Sequence, residues 1–82
     1  MRRLTEVRAN SDYSLWLRFD DGLEGSVFLG NLLEIGAFKL WRDRDQFRRV
    51  AIDPQAMTLV WDGGIELDPV VLYGDLLERK AA

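Results

Sequence analysis

The feature that most restricts the fold is an alternation of apolar and polar residues that begins at residue 13. Four large apolar residues lie on one side of it, namely Tyr13, Leu15, Leu17 and Phe19, whereas the other side carries Ser14, Trp16 and Arg18. A period of two is typical of a strand with one buried face. The sequence Asp-Asp-Gly at 20–22 favours a tight turn, and the alternation resumes over 23–29. We therefore predict a β-hairpin over residues 13–29.

The remaining patterns predict an α+β fold. Weaker alternation indicates short strands near 3–9 and 49–52, and a second hairpin over 57–67 turns at Asp-Gly-Gly. Apolar residues three to four apart predict short helices within 31–47, the second beginning at Asp43 or Asp45. Asp68 followed by Pro69 is a helix-start signal, so we predict a closing helix over 69–80. We expect one small antiparallel sheet with the helices on one side.

The length and composition predict a single folded domain over residues 1–82. The apolar share of 48% and the charged share of 30% are those of a globular chain and not of a disordered one. The chain contains no cysteine and no histidine. Disulfides, thiolate nucleophiles, imidazole bases and the usual zinc sites are thereby excluded within this chain. We expect no enzymatic activity and no cofactor.

The charges are distributed in two blocks of opposite sign. The net charge is −3, which disfavours non-specific binding to nucleic acids or anionic membranes. Residues 39–49 nevertheless carry a local excess of positive charge, whereas 53–78 contain six acidic residues and no basic one. The basic side chains of this segment are Lys39, Arg42, Arg44, Arg48 and Arg49.

Three interpretations of the basic segment stay open. It is either a solvated helix surface, or a patch for a protein partner or a second copy of the chain, or a nucleic-acid surface. Trp41 and Phe47 interleave with its arginines, as a surface for base stacking requires. At helical spacing, however, such rings are more often part of a core, and Trp61 is also expected there because it shares its phase with Met57 and Leu59.

Trp16 is a second candidate for partner binding. It lies on the polar side of its strand, next to Arg18. If helices cover the opposite side, Trp16 is partly exposed, and exposed aromatics beside arginines are typical interface anchors. The alternative is that Trp16 packs across the strands against Phe28 or Leu4.

The carboxylates are the remaining groups able to bind a metal. Asp20 with Asp21, or Asp62 with Glu66 and Asp68, would offer the oxygen ligands that Mg²⁺ and Ca²⁺ prefer. All of them fall in or near predicted turns, where aspartate is common for backbone reasons. We expect turn and cap roles and no metal site; a carboxylate-dependent metal enzyme is the least favoured alternative.

The order of the motifs resembles a bacterial family, domain of unknown function 2442. The matching segments are YSLWLRF at 13–19, DDG at 20–22, LL at 32–33, GAF at 36–38, FRRV at 47–50, LVWDGGIELDP at 59–69 and LY at 72–73. The resemblance covers about residues 3–74 and implies a small α+β domain without an established activity. Some members carry a helix-turn-helix segment after the domain, for which this chain has no room, and some are encoded beside another small protein. Direct DNA regulation is therefore not expected, whereas a protein partner is.

Together these observations favour a non-catalytic protein-interaction module that acts as a homodimer or with a small protein partner. The predicted contact residues are Trp16 and Arg18 on the sheet, or Arg42, Arg44, Arg48 and Arg49. The neighbourhood implied by the resemblance suggests an antitoxin-like half of a two-protein system. A nucleic-acid-binding accessory role through residues 39–49 is the alternative. No apolar run is long enough to span a membrane and no secretory signal opens the chain, so we expect a cytoplasmic protein.

Overall fold

The structure, a computed structural model, describes residues 3–81, with side chains described through residue 78. Its strands are β1 (Leu4–Ala9), β2 (Ser14–Phe19), β3 (Glu24–Phe28), β4 (Ala51–Asp53), β5 (Thr58–Trp61) and β6 (Ile65–Leu67). Short 3-10 helices span Gly30–Leu32 and Gly36–Arg42, and the α-helices are α1 (Arg44–Arg48) and α2 (Pro69–Ala81). The predicted α+β class is confirmed.

The six strands form two antiparallel sheets, whereas the sequence patterns predict a single sheet. The first sheet has the order β1-β2-β3 and the second the order β4-β5-β6. Each sheet is a meander of neighbouring strands, so both predicted hairpins are present, at 14–28 and 58–67. The short strand predicted near 49–52 begins and ends slightly later, at 51–53.

The turn of the first hairpin forms as its sequence predicts. Gly22 adopts the left-handed conformation with φ of 91°, which costs glycine little. The Asp21 side chain accepts a hydrogen bond from the Leu23 amide at 3.0 Å. The second Asp21 oxygen accepts one from the Tyr73 hydroxyl of α2. This turn therefore also anchors the C-terminal helix.

A bulge in β1 changes which of its residues face the core. Leu4 pairs with Phe19, but the next pair joins Glu6 to Arg18, so Thr5 is an extra residue in the ladder. Leu4 consequently lies in the core, whereas Glu6 points to the opposite face of the sheet. Strict alternation along β1 would place Leu4 and Glu6 on one face, and the inserted residue puts them on opposite faces.

The segment between the sheets contains the predicted short helices. Gly36, with φ of 47°, begins the second 3-10 helix and separates it from the first. Asp43 caps α1, since its carboxylate accepts a hydrogen bond from the Asp45 amide at 3.0 Å. This cap confirms Asp43, rather than Asp45, as the start of that helix.

α2 closes the fold over the first sheet. Its first residue is Pro69, and the Asp68 carboxylate accepts a hydrogen bond from the Val70 amide at 2.9 Å, so Asp68 is the predicted cap. Leu76 packs so close to Gly25 in β3 that a side chain at Gly25 would lie 2.9 Å from a Leu76 methyl. The missing side chain thus sets how near the helix approaches the sheet.

One core joins both sheets and the helices. It consists of Leu4, Leu15, Leu17, Phe19, Val27, Leu29, Trp41, Phe47, Leu59, Trp61, Ile65, Leu72 and Leu76. Trp41 lies at its centre, with ring centroids 4.7 Å from Trp61 and 5.2 Å from Phe47. These three rings are therefore core residues, as predicted. Within residues 3–81, no helix combines the length and the apolar character needed to cross a membrane.

Candidate protein-interaction surface

Trp16 lies at the centre of the uncovered face of the first sheet. The register places Arg8 of β1 and Ser26 of β3 on either side of it. The guanidinium carbons of Arg8 and Arg18 each lie 5.3 Å from the centroid of the Trp16 ring, within range of a cation–π interaction. The ring is partly buried by these contacts. We call Trp16, Arg8 and Arg18, with their carboxylate partners Glu6 and Glu24, the tryptophan face.

Ion pairs hold the two arginines beside the ring. Arg18 lies between two carboxylates, with its Nε 2.9 Å from Glu24 and a terminal nitrogen 3.6 Å from Glu6. Arg8 reaches the same Glu6 side chain at 3.5 Å. Each such exposed pair contributes at most about 1 kcal/mol to stability. The pairs instead restrict where the two guanidinium groups lie.

Of the two residues considered as packing partners of Trp16, the structure excludes Leu4. Leu4 is in the core, on the other side of the sheet, so it cannot cover Trp16. Phe28 pairs with Ser14, two residues from Trp16 on the same face, and its ring lies over Gly30. Arg8, which sequence reasoning missed, contacts the Trp16 ring; only the register of β1 against β2 identifies it.

A small hydrogen-bond network lies at one end of the tryptophan face, near the turn between β1 and β2. The Asp12 carboxylate accepts hydrogen bonds from the Ser14 hydroxyl at 2.6 Å and from the Ser14 amide at 3.1 Å. Ser14 in turn contacts the Asn10 side chain at 2.9 Å. The bonds from Ser14 hold the pKa of Asp12 below its ordinary value. The turn is therefore fixed by its own side chains.

The basic segment lies on the other side of the first sheet. Its helix α1 contributes Phe47 to the core, on the face opposite Trp16. The structure therefore does not bring Trp16 and Arg18 together with Arg42, Arg44, Arg48 and Arg49. These are two separate surfaces.

Most arginines of the basic segment already have partners. The contacts are Arg42 with Glu34, Arg48 with Asp45 at 3.0 Å, Arg49 with Asp62 at 3.3 Å, and Arg44 over the Tyr13 ring at 5.7 Å. Because three of the four arginines lie against carboxylates, the local excess of positive charge is largely compensated. Trp41 and Phe47, with relative exposures of 0% and 2%, are not available for base stacking. Nucleic-acid binding here stays a prediction that no contact in the structure favours.

Four of the five carboxylates considered as metal ligands have backbone or ion-pair roles. Asp21 and Asp68 accept amide hydrogen bonds, Asp20 accepts one from the Arg3 amide at 3.1 Å, and Asp62 pairs with Arg49. Within the part of the chain that the structure describes, no three acidic residues come together as metal ligands would. The metal-enzyme alternative stays a prediction without a described site.

The elements and their order define a small α+β domain. The comparison with protein families is more specific. The model described as Protein of unknown function (DUF2442) matches residues 4–76, so the chain belongs to that family, as its motifs suggested. No curated protein and no solved structure matches it.

Proposed function

We propose that the protein is a non-catalytic protein-interaction module whose partner contacts the tryptophan face. The observation that carries the proposal is the position of Trp16, on the uncovered side of a sheet, with the guanidinium groups of Arg8 and Arg18 both 5.3 Å from its ring. Tryptophan and arginine are the residues most enriched among the side chains that dominate binding energy at protein interfaces.

The geometry supports this role because the contact residues are held in place before binding. The ion pairs of Arg18 with Glu24 and Glu6 restrict the guanidinium group, and the sheet backbone fixes the position of Trp16. Side chains that are already ordered lose less conformational entropy on association, roughly 0.5–1.5 kcal/mol less for each one. A partner with an apolar surface bordered by charges of both signs would complement the Trp16 ring and the paired arginines and glutamates around it.

The sharpest form of the proposal is one half of a two-protein, antitoxin-like system in the bacterial cytoplasm. It rests on membership of the family, since some members resembling this chain are encoded beside another small protein. In such a system the partner would be the product of the neighbouring gene, and this chain would inhibit or stabilise it by binding.

The test is co-purification from source cells of the wild type, a Trp16→Ala/Arg18→Ala variant and a Val70→Ala control. Val70 is 73% exposed and lies in α2, outside the first sheet, so its truncation removes exposed apolar surface elsewhere. We expect the double variant to lose a protein that both other samples retain, with unchanged far-ultraviolet circular dichroism. A folded double variant that retains every partner contradicts the proposal.

A further inference from the structure

A groove of about 430 Å³ opens between β3, the 3-10 helix at 30–32, β6 and α2. Large apolar side chains line both of its sides and are unusually exposed: Phe28 at 51% on the β3 side and Val71 at 64% on the helix side. The charged residues of its lining are Asp75 and Glu78. We call it the acidic groove.

Phe28 lies over the backbone at the mouth of the acidic groove. Its ring is so close to Gly30 that a side chain at Gly30 would come within 2.3 Å of the ring edge. The absence of a side chain there allows the aromatic ring to lie over the backbone. The ring thus offers an exposed apolar contact at the mouth of the groove, and an aromatic face can accept a cation.

The two carboxylates, Asp75 and Glu78, have no ion-pair partner among the described side chains. Val71, Asp75 and Glu78 follow one stripe of α2, spaced four and three residues apart. Like charges at this spacing repel each other, and Glu78 lies toward the C-terminal end of the helix, where negative charge is unfavourable. Neither carboxylate lies within ion-pair distance of a basic side chain in the described part of the chain. Their placement is explained if a cation from outside pairs with them.

The chain itself carries a surface of the complementary chemistry. Residues 35–44 expose two large apolar side chains, Ile35 at 54% and Leu40 at 45%. The same segment exposes Lys39 and Arg44, for which the described residues provide no carboxylate partner. Within the same segment Arg42 pairs with Glu34, and Asp43 accepts the Asp45 amide hydrogen bond. The charges of residues 35–44 that lack such partners are therefore basic, opposite in sign to those of the acidic groove.

The two surfaces also adjoin one another within a single molecule. The Ile35 amide donates a hydrogen bond to the carbonyl of Leu32, a lining residue of the acidic groove, at 2.9 Å. When a twofold axis relates two copies, the groove of each copy can contact residues 35–44 of the other copy. Twofold symmetry is the commonest symmetry of protein dimers. A second copy related in this way would cover the acidic groove and residues 35–44 of the first copy at the same time.

We propose that the acidic groove is occupied by residues 35–44 of a second copy of this chain. Leu40 and Ile35 would contact Phe28 and Val71, while the basic groups of that segment pair with Asp75 and Glu78. The contact buries apolar surface and is steered by opposite charges. Phe28 borders the tryptophan face on the same side of the first sheet, but the residues of that face do not belong to the lining of the acidic groove.

Analytical ultracentrifugation of the full chain tests this proposal. We expect a monomer–dimer equilibrium whose dissociation constant rises at least about tenfold between 0.1 and 1 M NaCl, because the screening length falls from about 10 to about 3 Å. Asp75→Lys/Glu78→Lys and Lys39→Glu/Arg44→Glu should each be monomeric alone. Mixing these two variants should restore a dimer, because each then offers the charge that the other lacks.

A Glu66→Lys variant is the matched control, since Glu66 is an exposed acid of β6 outside the acidic groove. It should dimerise as the wild type does. A wild type that stays monomeric at millimolar concentration, or a mixture of charge-reversed variants that does not associate, overturns the proposal. Failure here leaves the tryptophan face intact, because that face is tested by loss of another protein and not by mass.

Discussion

Two tryptophans of the same cluster should respond very differently to the same substitution. Trp41 and Trp61 have relative exposures of 0% and 5%, and their ring centroids are 4.7 Å apart. The Trp61 indole N–H donates a buried hydrogen bond to the Phe47 carbonyl at 2.9 Å. The Trp41 indole N–H is buried without an acceptor among the described residues. Replacing each by phenylalanine separates the hydrogen bond from the packing.

The expected difference follows from what each replacement leaves behind. Both remove the same atoms from the same cluster, so the loss of buried surface and the cavity largely cancel in the comparison. Trp61→Phe leaves the Phe47 carbonyl without its donor, which costs about 1–3 kcal/mol of stability. Trp41→Phe removes a buried donor that has no acceptor, so the folded state regains part of the similar free energy that burying this donor costs. We expect Trp61→Phe to be about 2 kcal/mol more destabilising. The free energy of unfolding of a globular protein is roughly 0.05–0.15 kcal/mol per residue, so a chain of this length should retain enough stability for both variants to fold.

Urea unfolding followed by far-ultraviolet circular dichroism measures this difference, provided that both variants have the same m-value. In thermal unfolding, 2 kcal/mol corresponds to about 8–16 °C between the two midpoints, at about 4–8 °C for each kcal/mol. Equal midpoints, or a lower midpoint for Trp41→Phe, would refute the assignment of the hydrogen bond as the distinguishing contribution.

Substitutions at three further positions test local features. Gly74→Ala should raise the free energy of unfolding by roughly 0.5–1 kcal/mol, because a methyl group there meets no atom within 4 Å and alanine favours the helix; a lower urea midpoint would contradict this. Asp68→Ala should lower it by about 1 kcal/mol through loss of the α2 cap, whereas Asp68→Asn should retain most of it in thermal unfolding. The hydrogen bonds from Ser14 lower the pKa of Asp12 from its ordinary value of 3.8. The ionised Asp12 therefore stabilises the fold above pH 3.8, and this contribution is lost as the pH falls through the lower pKa of Asp12 in the folded protein. Asp12→Asn should therefore show a shallower loss of stability in acid, and an unchanged acid limb would count against the network.

Local sequence patterns predicted most of the elements because their causes are local. The turn glycine Gly22 and the cap residues Asp43 and Asp68 act on backbone groups two residues away, at most. Met57 shows the limit of such patterns. It fits the alternation of β5, yet it has φ of 57° and precedes the strand, because the turn after Asp53 determines its backbone.

The pairing of strands was not predictable in the same way. Which strands share a sheet depends on hydrogen bonds between distant segments, and the bulge at Thr5 leaves no trace in the alternation of β1. The candidate surface shares this limit. Trp16 and Arg18 stand out by their position on β2, whereas Arg8 reaches the ring through the cross-strand register. The acidic groove depends on the approach of α2 to β3, which no single segment encodes.

The division into two meanders has a consequence for how the chain folds. In each sheet every strand pairs with its neighbour in sequence, so both can form through short loop closures at small entropic cost. The contacts of high sequence separation are those that join the sheets, such as Trp41 against Trp61 and Leu76 over Gly25. We expect the folding barrier to lie in this joining step. Substitutions at the Trp41 and Leu76 contacts should then slow folding, whereas changes in the hairpin turns should mainly alter how long each meander persists before the two meet.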